Sequence, residues 1–126
     1  MTADLDGTPF AGKRVLVVED EAIVAMLIED ILGEMGVEVV GPAARNAQAI
    51  DLLAQGPVDA AILDVNLGAE TSTPTAEALR ARGVPFAFAT GYGAAGVPPE
   101  FEGQPLLQKP FQERDLAEVL SQTLGA

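Results

Sequence analysis

The sequence predicts an α/β domain with a five-stranded, doubly wound parallel sheet, and three features lead there. Short apolar runs of strand length recur along the chain, at VLVV, VEVV, DAAIL, PFAFA and PLLQ. Segments with helical spacing or helix-start chemistry separate most of them, which implies βαβ units with right-handed crossovers and helices on both faces. Every run except the second stops at a polar or charged residue: Glu19 and Asp20, Asp64, Thr90 and Lys109.

Met1 to Gly12 mixes Asp, Gly, Thr and Pro without periodicity and reads as a tail, leaving 13–126 as one domain. The first strand starts at Arg14. A helix is expected from about Asp20 to Met35, because Ile23, Leu27, Ile31 and Met35 recur at helical spacing and Gly36 follows as a stop. VEVVGPA is the second strand, a helix follows from about Asn46 to Gln55, and VDAAIL runs into Asp64. After a loop rich in Gly, Thr and Ser, Thr73 is placed as the N-cap with Pro74 in the first turn of a helix reaching about Arg82. PFAFA closes at Thr90, PLLQ closes at Lys109, and Phe111 to Leu124 is a last amphipathic helix. One connection breaks the rhythm. GYGAAGVPPEFEGQP carries four Gly and three Pro, so the helix expected there is predicted to be short, frayed or absent.

A chain of 126 residues buries roughly two-thirds of its unfolded surface, enough for a core without staples. Cysteine and histidine are both absent, which excludes a disulfide scaffold, a Cys nucleophile, a phosphohistidine and His or Cys metal ligation by this chain. A net charge of −12 with seven Lys and Arg argues against nucleic acid and anionic membrane surfaces as partners. No apolar run is long enough to span a bilayer and no signal peptide is evident, so a soluble, cytoplasmic protein is expected.

In open parallel sheets ligands bind beyond the carboxyl ends of the strands, and that rule brings Glu19, Asp20, Asp64, Thr90 and Lys109 to one edge. Each alone has an ordinary reading as a cap, a turn or a solvated residue. Three carboxylates together repel unless something positive sits among them. A hard divalent cation such as Mg²⁺ suits oxygen-only ligation with retained waters. With Lys109 as a second positive point and Thr90 as a hydroxyl donor, the set suits a phosphoryl group.

Taken in order, VLVVEDE, AAILDVNL, FATG and LLQKPF resemble the receiver domains of two-component response regulators, the CheY-like family. The resemblance runs from about Lys13 to the C-terminus. It implies a flavodoxin-like fold with strand order 2-1-3-4-5. It further implies that Glu19 and Asp20 hold Mg²⁺, that Asp64 is the phosphoacceptor, and that Asn66 supplies a backbone carbonyl to the metal. Thr90 becomes the switch hydroxyl, Lys109 the phosphate-binding lysine, and Pro110 a proline that follows it through a cis peptide bond. The implied chemistry is Mg²⁺-dependent transfer of a phosphoryl group from a sensor histidine kinase to Asp64. On this reading the chain is a signalling domain, not an enzyme, and catalyses only its own phosphorylation and dephosphorylation.

The chain departs from the common pattern in two places. Leu106 stands where many receivers carry a reporter aromatic, and VNLGAE replaces the usual Met-Pro loop after the phosphoacceptor. With Phe-Ala-Thr-Gly-Tyr, these features resemble the FAT-GUY subgroup, which is associated with HWE-type kinases and general stress signalling. Asn66 and Tyr92 occupy positions that influence acyl-phosphate hydrolysis in receivers, and Tyr92 is a candidate replacement reporter. On the first helix, Ile23, Val24, Leu27, Ile31 and Met35 are placed on the core-facing arc. Ala22, Ala25, Met26, Glu29 and Gly33 are left outward or at its margin, and Ala22, Met26 and Glu29 are candidates for kinase docking. No output domain is expected, so the protein works through a downstream regulatory or histidine phosphotransfer partner in a phosphorelay, or as a phosphate sink. Two alternatives remain: a Mg²⁺-dependent phosphohydrolase, which needs a general acid where Asn66 stands, and a receiver-shaped binding module that is never phosphorylated.

Overall fold

A computed structural model describes residues 10–91 and 93–125 of the chain. The elements run in the order β1 (Arg14–Val18), α1 (Ala22–Glu34), β2 (Glu38–Ala43), α2 (Asn46–Gln55), β3 (Ala60–Asp64), β4 (Asn66–Leu67), β5 (Glu70–Thr71), α3 (Thr73–Ala81), β6 (Phe86–Thr90), β7 (Leu106–Gln108) and α4 (Glu113–Leu124). The main sheet has five strands in the order β2-β1-β3-β6-β7, all parallel, which is the 2-1-3-4-5 order that the resemblance implies.

Alternation along the central strands builds two cores. Val15 and Val17 of β1, Ala60 and Ile62 of β3, and Ala87 and Ala89 of β6 meet α1 and α4 through Ile28, Leu32, Leu116 and Leu120. Their neighbours Leu16 and Val18, Ala61 and Leu63, and Phe86 and Phe88 face the other way, against Leu53 of α2 and Leu79 of α3. Both faces of the sheet are therefore covered, which is why these strands read as continuous apolar runs. The first core also takes in Phe10, so the chain is anchored three residues before the domain start placed at Lys13.

Between β6 and β7 two short 3₁₀ turns, Gly93–Gly96 and Pro99–Phe101, replace a helix. Phe101 is fully buried there and packs edge-on to Phe86 and Phe88, with ring centroids 5.8 and 5.7 Å away. Arg80 of α3 places its guanidinium 4.3 Å from the centre of the Phe101 ring and donates to the Glu100 carbonyl at 2.9 Å. Two rings from β6 and one from the second turn thus form a cluster that anchors this connection.

Two local expectations are corrected. Helix α1 is rotated from the arc assigned to it: Ala25, Ile28, Ile31, Leu32 and Met35 are buried, whereas Ile23 and Leu27 are 83% and 45% exposed. Apolar residues lie nearly all round this helix, so contact with β1 and α4, and not spacing alone, decides which stripe turns inward. Helix α3 begins at Thr73, and its N-cap position is Ser72. The Ser72 hydroxyl instead donates to the Val65 carbonyl at 3.4 Å.

The loop after Asp64 contains a short antiparallel hairpin in which Asn66 faces Thr71 and Leu67 faces Glu70. Gly68 turns it with φ of 73°, a conformation that favours glycine. Such a two-residue connection with glycine first is a hairpin signal, present in the NLGAET stretch.

Candidate functional site

The carboxyl ends of β1, β3, β6 and β7 converge on a cleft of 390 Å³ bordered by Asp20, Glu21, Asp64, Asn66, Thr90 and Lys109. Each residue arrives there for a local reason. Glu19 follows β1 directly, and its backbone N–H donates to the Ala43 carbonyl at the end of β2, 2.9 Å away. Asp64 is the last residue of β3 and Thr90 the last of β6, each ending a strand buried along its whole length. Lys109 follows β7, and its N–H donates to the Thr90 carbonyl at 2.9 Å, which ties those two strand ends together. The Lys109–Pro110 peptide is cis, as is Gly41–Pro42.

Lys109 is the centre of the charge arrangement. Its ammonium donates to Glu19 Oε1 at 2.9 Å and to Asp64 Oδ2 at 3.2 Å, and lies 4.0 Å from Glu21 Oε1. Burial disfavours its charge, but the hydrogen bonds and attraction from Glu19 and Asp64 outweigh that and raise its pKa. Glu19 is nearly inaccessible, with its side chain 1% exposed. Its pKa is raised to about 7, chiefly because burial penalises the carboxylate, and Asp64 adds to the rise while Lys109 opposes it.

Glu19, Asp20 and Asp64 each bring an oxygen into a group within 4.8 Å of one another. All are hard oxygen donors, Asp20 is exposed at the solvent side, and three carboxylates stand together with Lys109 as the cation paired with Glu19 and Asp64. This donor set fits a divalent cation that keeps some of its waters, as magnesium does.

Of the other residues singled out, Asn66 is exposed at the start of β4, two residues beyond Asp64. Leu106 is half-buried on β7 and paired in register with Phe88. Ala22 and Met26 are exposed on α1 and Glu29 is half-buried. Tyr92 lies outside the described residues. Sequence reasoning missed Asn46, which is buried at the start of α2 and hydrogen-bonded to the loop after Asp64. It carries no motif, and only its place as a polar residue at a helix start marked it.

The chain matches the family model of the response regulator receiver domain over residues 15–121. It is similar to SdrG from Sphingomonas melonis Fr1, at 46% identity and a TM-score of 0.80 over 90% of this chain and 97% of that one. The BeF3-activated conformation of SdrG superposes with a TM-score of 0.78. A receiver domain of the sensor histidine kinase PA1611 from Pseudomonas aeruginosa PAO1, with magnesium coordinated in its active site cleft, is 27% identical with a TM-score of 0.75 over 92% of this chain and all of that one. The phyllosphere-induced regulator PhyR of Methylorubrum extorquens is 31% identical over 115 residues, 88% of this chain and 43% of that protein. The aligned stretches span less than half the length of each curated relative.

Proposed function

The chain belongs to the response regulator receiver domain family, and from that premise we propose that it accepts a phosphoryl group on Asp64 from a histidine kinase and signals through other proteins. The observation that carries this reading is the convergence of Lys109 on Asp64 and Glu19 at the carboxyl edge of the sheet.

In the reaction, a carboxylate oxygen of Asp64 attacks the phosphorus of a phosphohistidine. The new P–O bond forms as the P–N bond breaks, and the departing imidazole nitrogen takes up a proton. Lys109, already 3.2 Å from Asp64 Oδ2, neutralises charge on the incoming oxygens. Thr90 ends the neighbouring strand, so its hydroxyl is positioned to answer a phosphoryl group on Asp64. Glu19, Asp20, Asp64 and the Asn66 carbonyl would hold Mg²⁺, which supplies charge neutralisation for the phosphoryl and the acidic cluster. No external substrate is turned over: the chain acts on its own carboxylate.

A kinase docking surface on α1 is supported by Ile23, Met26 and Leu27, exposed on the helix that begins beside the acidic pair. An apolar stripe of this kind on a monomer suits a partner helix. An HWE-type kinase as the source of phosphate rests on the Phe-Ala-Thr-Gly-Tyr resemblance, and the likeness to PhyR, a regulator by name, supports a regulatory protein as the destination, with a shared kinase drained by this chain as the alternative.

Beryllofluoride with Mg²⁺, read by amide NMR, tests the assignment. Wild type should show shifts spreading from Asp64 to Thr90 and Lys109, and Asp64→Ala should show none. Equal shifts in both proteins, or none in wild type, would remove Asp64 as the phosphoacceptor. The lifetime of the acyl phosphate then separates the two destinations, because a lifetime of hours is incompatible with a sink.

A further inference from the structure

We propose that Asn46 is a positioning residue for the cation and phosphoacceptor site, acting through the hairpin that follows Asp64. The inference rests on the reading above, in which the Asn66 carbonyl faces a bound Mg²⁺.

Asn46 opens α2, and only 6% of it is exposed. Its amide Nδ2 donates to the Thr71 carbonyl at 2.7 Å. Its Oδ1 accepts from the Thr75 hydroxyl at 2.6 Å and from the Thr75 N–H at 3.3 Å. Its own backbone N–H donates to Glu70 Oε2 at 2.9 Å. One buried side chain thus fastens the second strand of the hairpin to the first turn of α3, while Glu70 of the same strand fastens the hairpin to the start of α2.

What is fastened borders the acidic cluster at two points. Thr71 is the register partner of Asn66, and Gly68 at the turn lies so near Asp20 that a Cβ there would stand 3.4 Å from Asp20 Oδ2. The hairpin's first strand is also held from within, by Leu67 packed in the core. The hydrogen bonds of Asn46 add direction to that packing. They set how far the Asn66 carbonyl stands from the three carboxylates, and a carbonyl ligand is useful only within a narrow distance of a hard cation.

Mg²⁺ alone, titrated into the full chain and followed by amide shifts at Glu19, Asp20 and Asp64, reads this directly. Asn46→Ala is expected to weaken the apparent Mg²⁺ affinity about tenfold, as loss of a residue that orients a ligand commonly does. Glu70→Ala, at an exposed position, is expected to weaken it in the same direction by a smaller factor. Val119→Ala, a core change in α4 remote from the hairpin, should lower the melting temperature and leave the affinity at the wild-type value.

Wild-type affinity in folded Asn46→Ala overturns the proposal. If that variant does not fold, Glu70→Ala decides in its place, and wild-type affinity there overturns it. A loss of affinity in Val119→Ala as large as in the hairpin variants would also overturn it, by showing that general loosening suffices. Failure of the underlying reading looks different: wild type itself would then give no saturable Mg²⁺ response at the three carboxylates.

Discussion

Two loops leave adjacent strands at the carboxyl edge of the sheet and are held by opposite means. The loop after β3 is fixed by directed hydrogen bonds that Asn46 donates to Glu70 and Thr71 of a hairpin. The loop after β6 is fixed by one buried ring, Phe101, set among Phe86 and Phe88. Hydrogen bonds fail over a few tenths of an ångström, whereas a ring in an apolar pocket is held strongly but tolerates small slides and rotations. The first loop borders the acidic cluster, where distance matters. The second adjoins Thr90, where the proposed answer to phosphorylation would require movement.

Removing the ring tests the second fastening and has the largest expected effect. Phe101→Ala should lose about 3–5 kcal/mol by urea unfolding. In hydrogen exchange, the amides of Phe101, Glu102 and Gln104 should lose protection, while that of Ser72, bonded to the Val65 carbonyl beside the hairpin, keeps it. Equal loss at Ser72 would show that the two loops are one unit and that the contrast is false.

Next in size is the electrostatic side of the first loop's surroundings. Glu19 holds its proton in the fold up to about 7 but in the unfolded chain only to about 4.5, so between those values the native state binds more protons. Stability from this group is complete below about pH 4.5 and is lost as pH rises through 7. In Mg²⁺-free buffer Glu19→Gln should flatten that decline by about 2–3 kcal/mol. An unchanged slope in unfolding free energy from pH 4.5 to 7.5 would assign the effect elsewhere.

Smallest is Arg80→Ala, which removes the cation over Phe101 and a hydrogen bond to Glu100 and should cost about 0.5–1 kcal/mol. Denaturant midpoints measure it. A cost as large as that of Phe101→Ala would mean that the cation, and not burial of the ring, holds the second loop.

Strand ends were legible in the sequence because burial on both faces leaves apolar runs with sharp polar stops, as at Leu63–Asp64 and Ala89–Thr90. The lack of a regular helix after Thr90 was legible as well, since Gly and Pro act locally. Phe101 as its anchor was not, because a single aromatic in a Gly and Pro-rich stretch says nothing of what it will touch. The face of α1 was misread because Ile23 and Leu27 make as good a stripe as Ile28 and Leu32, and only the packing of α1 on the sheet separates them. Asn46 was invisible for a related reason: its partners lie 24, 25 and 29 residues away in the chain.

Strand β6 carries a consequence of its own. On the side of α1 and α4 it presents only the methyl groups of Ala87 and Ala89, and on the other side the rings of Phe86 and Phe88. Alanine has no side-chain torsion to change, so from that side the strand can yield only by moving its backbone. The rings can tilt. The side chains of β6 that can adjust next to Thr90 therefore all lie on one side of the sheet, toward Phe101 and the end of α3 where Arg80 stands.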